Sequence, residues 1–279
     1  MKAEDREARA RDGTRLAYTL VPSEGRGRLA LVHSLAMDRG FWDGVVPLLR
    51  RQADLLVLDC RGHGASGKPA GPYTVELFAD DLAAMMDAVG WPSAVVAGAS
   101  MGGCVSLAFA GRYPERTQAL GLVDTTAWYG PTAAEDWEGR AQKALQSGMQ
   151  ALVEFQKTRW FGDRFRAENP ARVRRALDVF LANDVAGYAE ACRMLGRCDL
   201  RAIVPSLAVP VRILVGEEDY ATPVAMAEAM HAAIPQSELT VIPAARHFTP
   251  IEVPERVAAE LAALLAGAAP PPDPTGRAR

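Results

Sequence analysis

Apolar residues in this chain fall into short unbroken runs separated by stretches with helical spacing. The opening reads as a hairpin, in which residues 7–11 and 15–20 flank the turn pair Asp12-Gly13. Four apolar runs follow, at residues 29–33, 55–59, 94–97 and 119–123, and two more come late, at 211–215 and 239–242. Continuous rather than alternating runs are expected of strands buried on both faces of a parallel sheet. With amphipathic helices between most of them, they predict an α/β architecture. The stretch 128–197 breaks this rhythm. It is helical throughout, carries Trp137, Phe155, Trp160, Phe161, Phe165, Phe180 and Tyr188, and is interrupted at Asn169-Pro170 and Asn183-Asp184. A helical block between two strands of one sheet predicts a cap (128–197) over a core made of residues 1–127 and 198–267. Proline density in Ala-Pro-Pro-Pro-Asp-Pro then predicts a disordered tail over 268–279.

Composition narrows the classes of function. A chain of 279 residues, 49% of them apolar, accommodates one large domain with a modest insertion. A net charge of −3 and the lack of a basic stretch with interleaved aromatics argue against nucleic acid. The charged start MKAEDREARARDG has no apolar h-region, and no apolar run approaches the roughly 20 residues that cross a bilayer, so neither secretion nor a membrane is expected. Cys60, Cys104, Cys192 and Cys198 show neither C-x-x-C spacing nor disulfide-scaffold density. Cys192 and Cys198 fall on one expected helix but do not make a metal site. The expectation is a reduced, cytoplasmic protein without metal or cofactor whose partner is a small-molecule substrate; a homo-oligomer is compatible with the sequence.

The most informative stretch is Ala94-Val-Val-Ala-Gly98-Ala99-Ser100-Met101-Gly102-Gly103. It reads as a buried strand, then G-x-S-x-G, then a helix from Val105 to Gly111 ending at Tyr113-Pro114. Chance yields the five-residue motif in roughly one chain in ten of this length, so the flanking strand and helix carry as much weight as the motif. In that context the serine sits on a tight strand-to-helix turn and is a candidate nucleophile. A serine hydroxyl attacks only when a neighbouring base takes its proton. Of the four histidines, His33 ends a strand, His63 lies in Arg61-Gly62-His63-Gly64 and His231 falls within a helical pattern. His247 follows the last strand, where catalytic groups of open α/β sheets gather, and is the expected base. The orienting acid belongs at another strand end. Asp219, after residues 211–215, is the first choice, and Asp124, after residues 119–123, is its rival. The expected oxyanion donors are the N–H groups of Met101 and Leu35, with His33 shaping the second loop. Gly62-His-Gly64-Ala-Ser-Gly67 matches dinucleotide-binding spacing, but Lys68-Pro69 follows it where a helix should start.

These segments together resemble the α/β-hydrolase superfamily over about residues 5 to 267: Leu-Val-His33-Ser34-Leu35, Leu-Asp59-Cys-Arg61-Gly62-His63-Gly64-Ala-Ser66, the serine turn, Val-Gly216-Glu-Glu-Asp219 and Ala-Arg-His247-Phe. Within it the chain is most similar to bacterial 3-oxoadipate enol-lactonases. The likeness lies in Ser34-Leu35-Ala-Met-Asp38, Phe41-Trp42, Arg159-Trp160-Phe161, Gly187-Tyr188-Ala189 with Cys192, and Asp199-Leu200-Arg201. It departs from them at His33, where they typically carry asparagine, and at Phe248-Thr249-Pro250, where Leu-Ser-Asn follows their base histidine. The resemblance implies an α/β-hydrolase fold and a serine hydrolase that cleaves an ester or lactone through an acyl-enzyme. A substrate carboxylate would need a fixed cation, for which Arg159 and Arg193 are the candidates, with Trp137 and Trp160 as pocket walls. A carbon–carbon bond hydrolase, a carboxylesterase and a perhydrolase share the same triad. A non-catalytic small-molecule binder would share only the fold.

Overall fold

The hairpin forms around its turn pair. In the computed structural model, which describes residues 2–25 and 27–268, β1 (Glu4–Arg9) pairs antiparallel with β2 (Arg15–Val21). Gly13, at φ +83°, closes the turn by donating to Ala10 O at 2.9 Å, a backbone region that favours glycine. All six apolar runs are strands: β3 (Gly27–Val32), β4 (Ala53–Leu58), β5 (Ala94–Ala99), β6 (Thr117–Val123), β7 (Val211–Gly216) and β8 (Ser237–Ile242). The described strands make one sheet in the order β1-β2-β4-β3-β5-β6-β7-β8. Only β1 and β2 break the parallel pairing of the rest. The registers Val32 to Gly98, Ala99 to Val123, Val123 to Leu214 and Gly216 to Ile242 bring five strand ends to one edge.

Helices cover the sheet. In the N-terminal half these are α1 (Val46–Leu49), α2 (Val75–Ala88), capped by Thr74, and α3 (Met101–Arg112). Between β6 and β7 the chain runs through α4 (Ala133–Ser147), α5 (Val153–Trp160), α6 (Asp163–Glu168), α7 (Pro170–Leu181) and α8 (Val185–Gly196). The interruptions expected at Asn169-Pro170 and Asn183-Asp184 separate α6 from α7 and α7 from α8. Pro170 begins α7, where its missing N–H costs nothing, and the Asp184 carboxylate caps α8 through Gly187 N–H at 2.7 Å. The two ends of this insertion meet: Trp128 and Asp199 form an antiparallel bridge, and Leu200 N–H donates to Ala127 O at 2.8 Å. After β7 come α9 (Val224–Ala233), α10 (Thr249–Glu252) and α11 (Pro254–Gly267), the last packed across β5, β6 and β7. One placement differs from expectation. α8 stops at Gly196, so Cys192 is helical and Cys198 lies in the return segment. The tail expected over 268–279 lies, except for Ala268, outside the described residues.

Candidate active site

The turn from β5 into α3 places Ser100 at φ +53°, a left-handed conformation that costs a non-glycine residue about 1–3 kcal/mol. Two glycines make the turn sterically feasible. A Cβ on Gly98 would meet Gly102 O at 2.0 Å, and one on Gly102 would meet Val32 O at 2.2 Å. The strain lifts the serine side chain out of the helix and leaves it at the sheet edge.

There the three far-separated side chains meet. The Ser100 hydroxyl donates to His247 Nε2 at 3.0 Å, and His247 Nδ1–H donates to Asp219 Oδ2 at 2.7 Å. All three residues are buried. Asp219 is held by Ala221 N–H at 2.7 Å and Thr222 N–H at 3.0 Å on Oδ1, and by the Thr222 hydroxyl at 2.9 Å on Oδ2. Burial alone would raise its carboxyl, but His247 and these donors outweigh it and hold it below the usual range.

Asp124 makes no hydrogen bond to His247 and instead braces the floor. At φ +46° and fully buried, it accepts from Gly216 N–H at 3.1 Å, Thr249 N–H at 3.0 Å and the Thr249 hydroxyl at 2.7 Å. Its neighbours in sequence hold the nucleophile: Ser100 N–H donates to Val123 O at 2.9 Å, and the Thr125 hydroxyl donates to Ser100 O at 2.7 Å. The end of β6 therefore grips all three segments that carry the triad. Burial, with the charge of Asp219 nearby, pushes the Asp124 carboxyl well above its ordinary value. The rival acid is a support.

The N–H groups of Leu35 and Met101 donate to no protein acceptor among the described residues, and Leu35 lines the same cavity as Ser100. His33 shapes that loop as expected. Its Nδ1–H donates to Ser34 O at 2.7 Å and its Nε2 accepts from Cys60 N–H at 3.0 Å, which fixes one neutral tautomer. Burial lowers its pKa accordingly. His63 is also buried and brought down to about 3 by desolvation, and His231 is exposed on α9.

Over the triad lies a narrow cavity of about 20 Å³ walled by residues from the helices between β6 and β7. Trp137, Arg159 and Trp160 line it, together with Tyr129, Arg140 and Gln156. Trp137 meets Tyr129 edge to face at 5.2 Å. Trp160 stacks on Phe248 at 4.6 Å and 14°, while Phe248 N–H donates to Trp160 O at 3.0 Å. Phe248, one of the departures from the enol-lactonase pattern, thus ties the wall to the base histidine's loop. Arg140 lies 4.3 Å over the Trp137 ring and Arg159 5.4 Å over Phe155. Neither has a carboxylate partner among the described residues; Arg159 makes only a long bond to Ala221 O at 3.4 Å. Burial and the repulsion of Arg140 bring Arg159 down to about 10, still cationic at neutral pH.

Arg193 is a correction. On α8 it is spent on Glu138 at 2.8 and 2.9 Å and Glu190 at 2.7 Å, outside the cavity lining. A larger groove of about 660 Å³, lined by Met37, Phe41 and Val179 among others, contains no triad residue. Of its arginines, Arg39 is spent on Asp59 at 3.3 Å and Arg175 on Asp43 at 2.5 Å, while Arg172 makes only a long bond to Ile251 O at 3.4 Å. Arg140 and Gln156 are cavity residues that sequence reasoning missed, although a signal existed. Arg140 is three positions past Trp137 on α4, and Gln156 is three and four before Arg159 and Trp160 on α5, so each shares a helix face with an expected wall residue.

A family model described as the alpha/beta hydrolase fold matches residues 27–254. The chain is 29% identical to 3-oxoadipate enol-lactonase 2 of Acinetobacter baylyi over 86% of this chain and 89% of that one. Among solved structures it is similar to the enol-lactonase of Burkholderia xenovorans LB400, at 31% identity and TM-score 0.89, covering 94% of this chain and 100% of the other. It is also similar to a thermophilic esterase of Thermogutta terrifontis solved with malate bound, at 29% identity and TM-score 0.87, covering 94% and 98%.

Proposed function

This chain belongs to the α/β-hydrolase fold family, and from that premise we propose that it is a serine hydrolase cleaving an ester or lactone of a small, carboxylate-bearing substrate. The observation that carries the reading is the unbroken line Ser100–His247–Asp219, at 3.0 and 2.7 Å. In the reaction His247 takes the Ser100 proton as the hydroxyl oxygen attacks the carbonyl carbon. The N–H groups of Leu35 and Met101 receive the negative oxygen, and Asp219 supports the imidazolium. Collapse breaks the bond to the leaving oxygen, which takes the proton back from His247; in a lactone that oxygen stays on the acyl chain. Water, deprotonated by the same histidine, then attacks the acyl-enzyme and frees the acid.

The carboxylate preference rests on Arg140 and Arg159, cations beside the triad with no carboxylate of their own among the described residues. Two guanidinium forks suit a carboxylate, which each can bind through paired hydrogen bonds. The enol-lactonase and esterase relatives support lactone and ester chemistry. Comparing hydrolysis of neutral and acidic lactones of matched size tests the reading. We expect kcat/KM to favour the acidic lactone by about tenfold or more. A preference for the neutral one removes the arginine role, and failure on both together with simple esters removes the hydrolase.

A further inference from the structure

Gln156 lies on α5, is 2% exposed, and lines the same cavity as Ser100. A hydrogen bond sets which way its amide faces. Its Nε2 donates to the Tyr188 hydroxyl oxygen at 3.4 Å. Oε1 is then buried without a hydrogen-bond partner among the described residues. Native proteins seldom leave such an atom unpaired, because a desolvated acceptor without a donor costs stability. Arg140 and Arg159 share the cavity, and their positive field favours an oxygen over an amino group at this position.

We propose that Gln156 is a specificity-determining residue whose Oε1 accepts a hydrogen bond from a hydroxyl on the acyl part of the substrate, so that the site prefers hydroxy-substituted acyl groups. The proposal rests on the reading of Ser100 as the acylated nucleophile and adds a donor to the anion that the arginines receive. A site with a buried hydrogen-bonding group discriminates strongly against an analogue that lacks the matching group, since the protein atom is then left unpaired.

The test uses a pair differing by one hydroxyl, monomethyl 3-hydroxyglutarate and monomethyl glutarate. The wild type should favour the hydroxylated ester by about tenfold or more in kcat/KM, and Gln156→Leu should bring that ratio to about one. Equal turnover by the wild type overturns the proposal, as does a preference that survives in folded Gln156→Leu. If the variant does not fold, the wild-type ratio decides alone. If neither ester is turned over, the free acids are compared as protectors of Ser100 against a fluorophosphonate. 3-Hydroxyglutarate should then protect at roughly one-tenth the concentration of glutarate, and equal protection is contrary. A folded protein whose Ser100 does not react at all removes the hydrolase reading and this proposal with it; labelling without discrimination removes only the proposal.

Discussion

The floor of the cavity and its wall are built on opposite principles. On the floor, polar atoms are committed. Asp219 receives three donors besides His247, and Asp124 receives three more. In the wall, Arg140, Arg159 and the Gln156 oxygen lack strong partners. A floor whose carboxylates each receive several donors holds its catalytic groups in place before a substrate arrives, which is what electrostatic preorganisation requires. A wall with unspent charge and one unspent acceptor is suited to a ligand that supplies an anion and a donor. Reaction chemistry belongs to the strand ends, and recognition to the helices inserted above them.

Breaking the floor should have the larger effect. Asp124→Asn keeps the shape but offers one acceptor oxygen where two now serve three donors. We expect kcat to fall about ten- to a hundredfold with KM within about twofold, measured on whichever ester or lactone gives the best turnover. A variant with unchanged kcat would reduce Asp124 to a packing role. Changes in the wall should act on binding. Arg159→Ala should raise KM for an acidic substrate by about tenfold while leaving a neutral one nearly unaffected. Arg193→Ala, equally cationic but spent on Glu138 and Glu190, should leave both KM values unchanged. Equal effects from the two arginines would contradict the distinction between spent and unspent charge.

The smallest expected effect concerns the seam between floor and wall. Glu252 accepts from Gly162 N–H at 3.3 Å and Arg246 N–H at 3.1 Å, and burial raises its carboxyl from 4.5 to about 7. Between those values the folded protein holds a proton that the unfolded chain has lost, so this group's contribution to stability falls as pH rises through the window. Glu252→Gln has no such titration. Its Tm deficit relative to wild type should therefore shrink between about pH 5 and pH 8, and a constant deficit would contradict the assignment.

The parts of this arrangement legible in the sequence are those that depend on local pattern. Strands buried on both faces leave continuous apolar runs, and all six are strands, with boundaries shifted by a residue or two where β3, β4, β6 and β8 begin earlier. The serine turn was legible because only small residues pass through it, as the Gly98 and Gly102 contacts show. His247 and Asp219 followed from their places after strands, and the structure brings both to Ser100. Arg193 misled because a charge on a helix says nothing about its partner. Glu138 lies 55 positions away in the chain, and only tertiary packing reveals that the pair closes. Arg140 and Gln156 went unnoticed for the same reason in reverse. A polar residue on a helix reads as solvated surface until the fold turns that face inward.

The central claim is that Ser100 is a nucleophile activated by His247. Mass spectrometry of the folded protein after brief exposure to a fluorophosphonate tests it most directly. The account predicts a single adduct on the peptide containing Ser100, forming at least about a hundredfold more slowly in a folded His247→Asn variant. Labelling that is absent from Ser100, or equally fast without the imidazole, would contradict it.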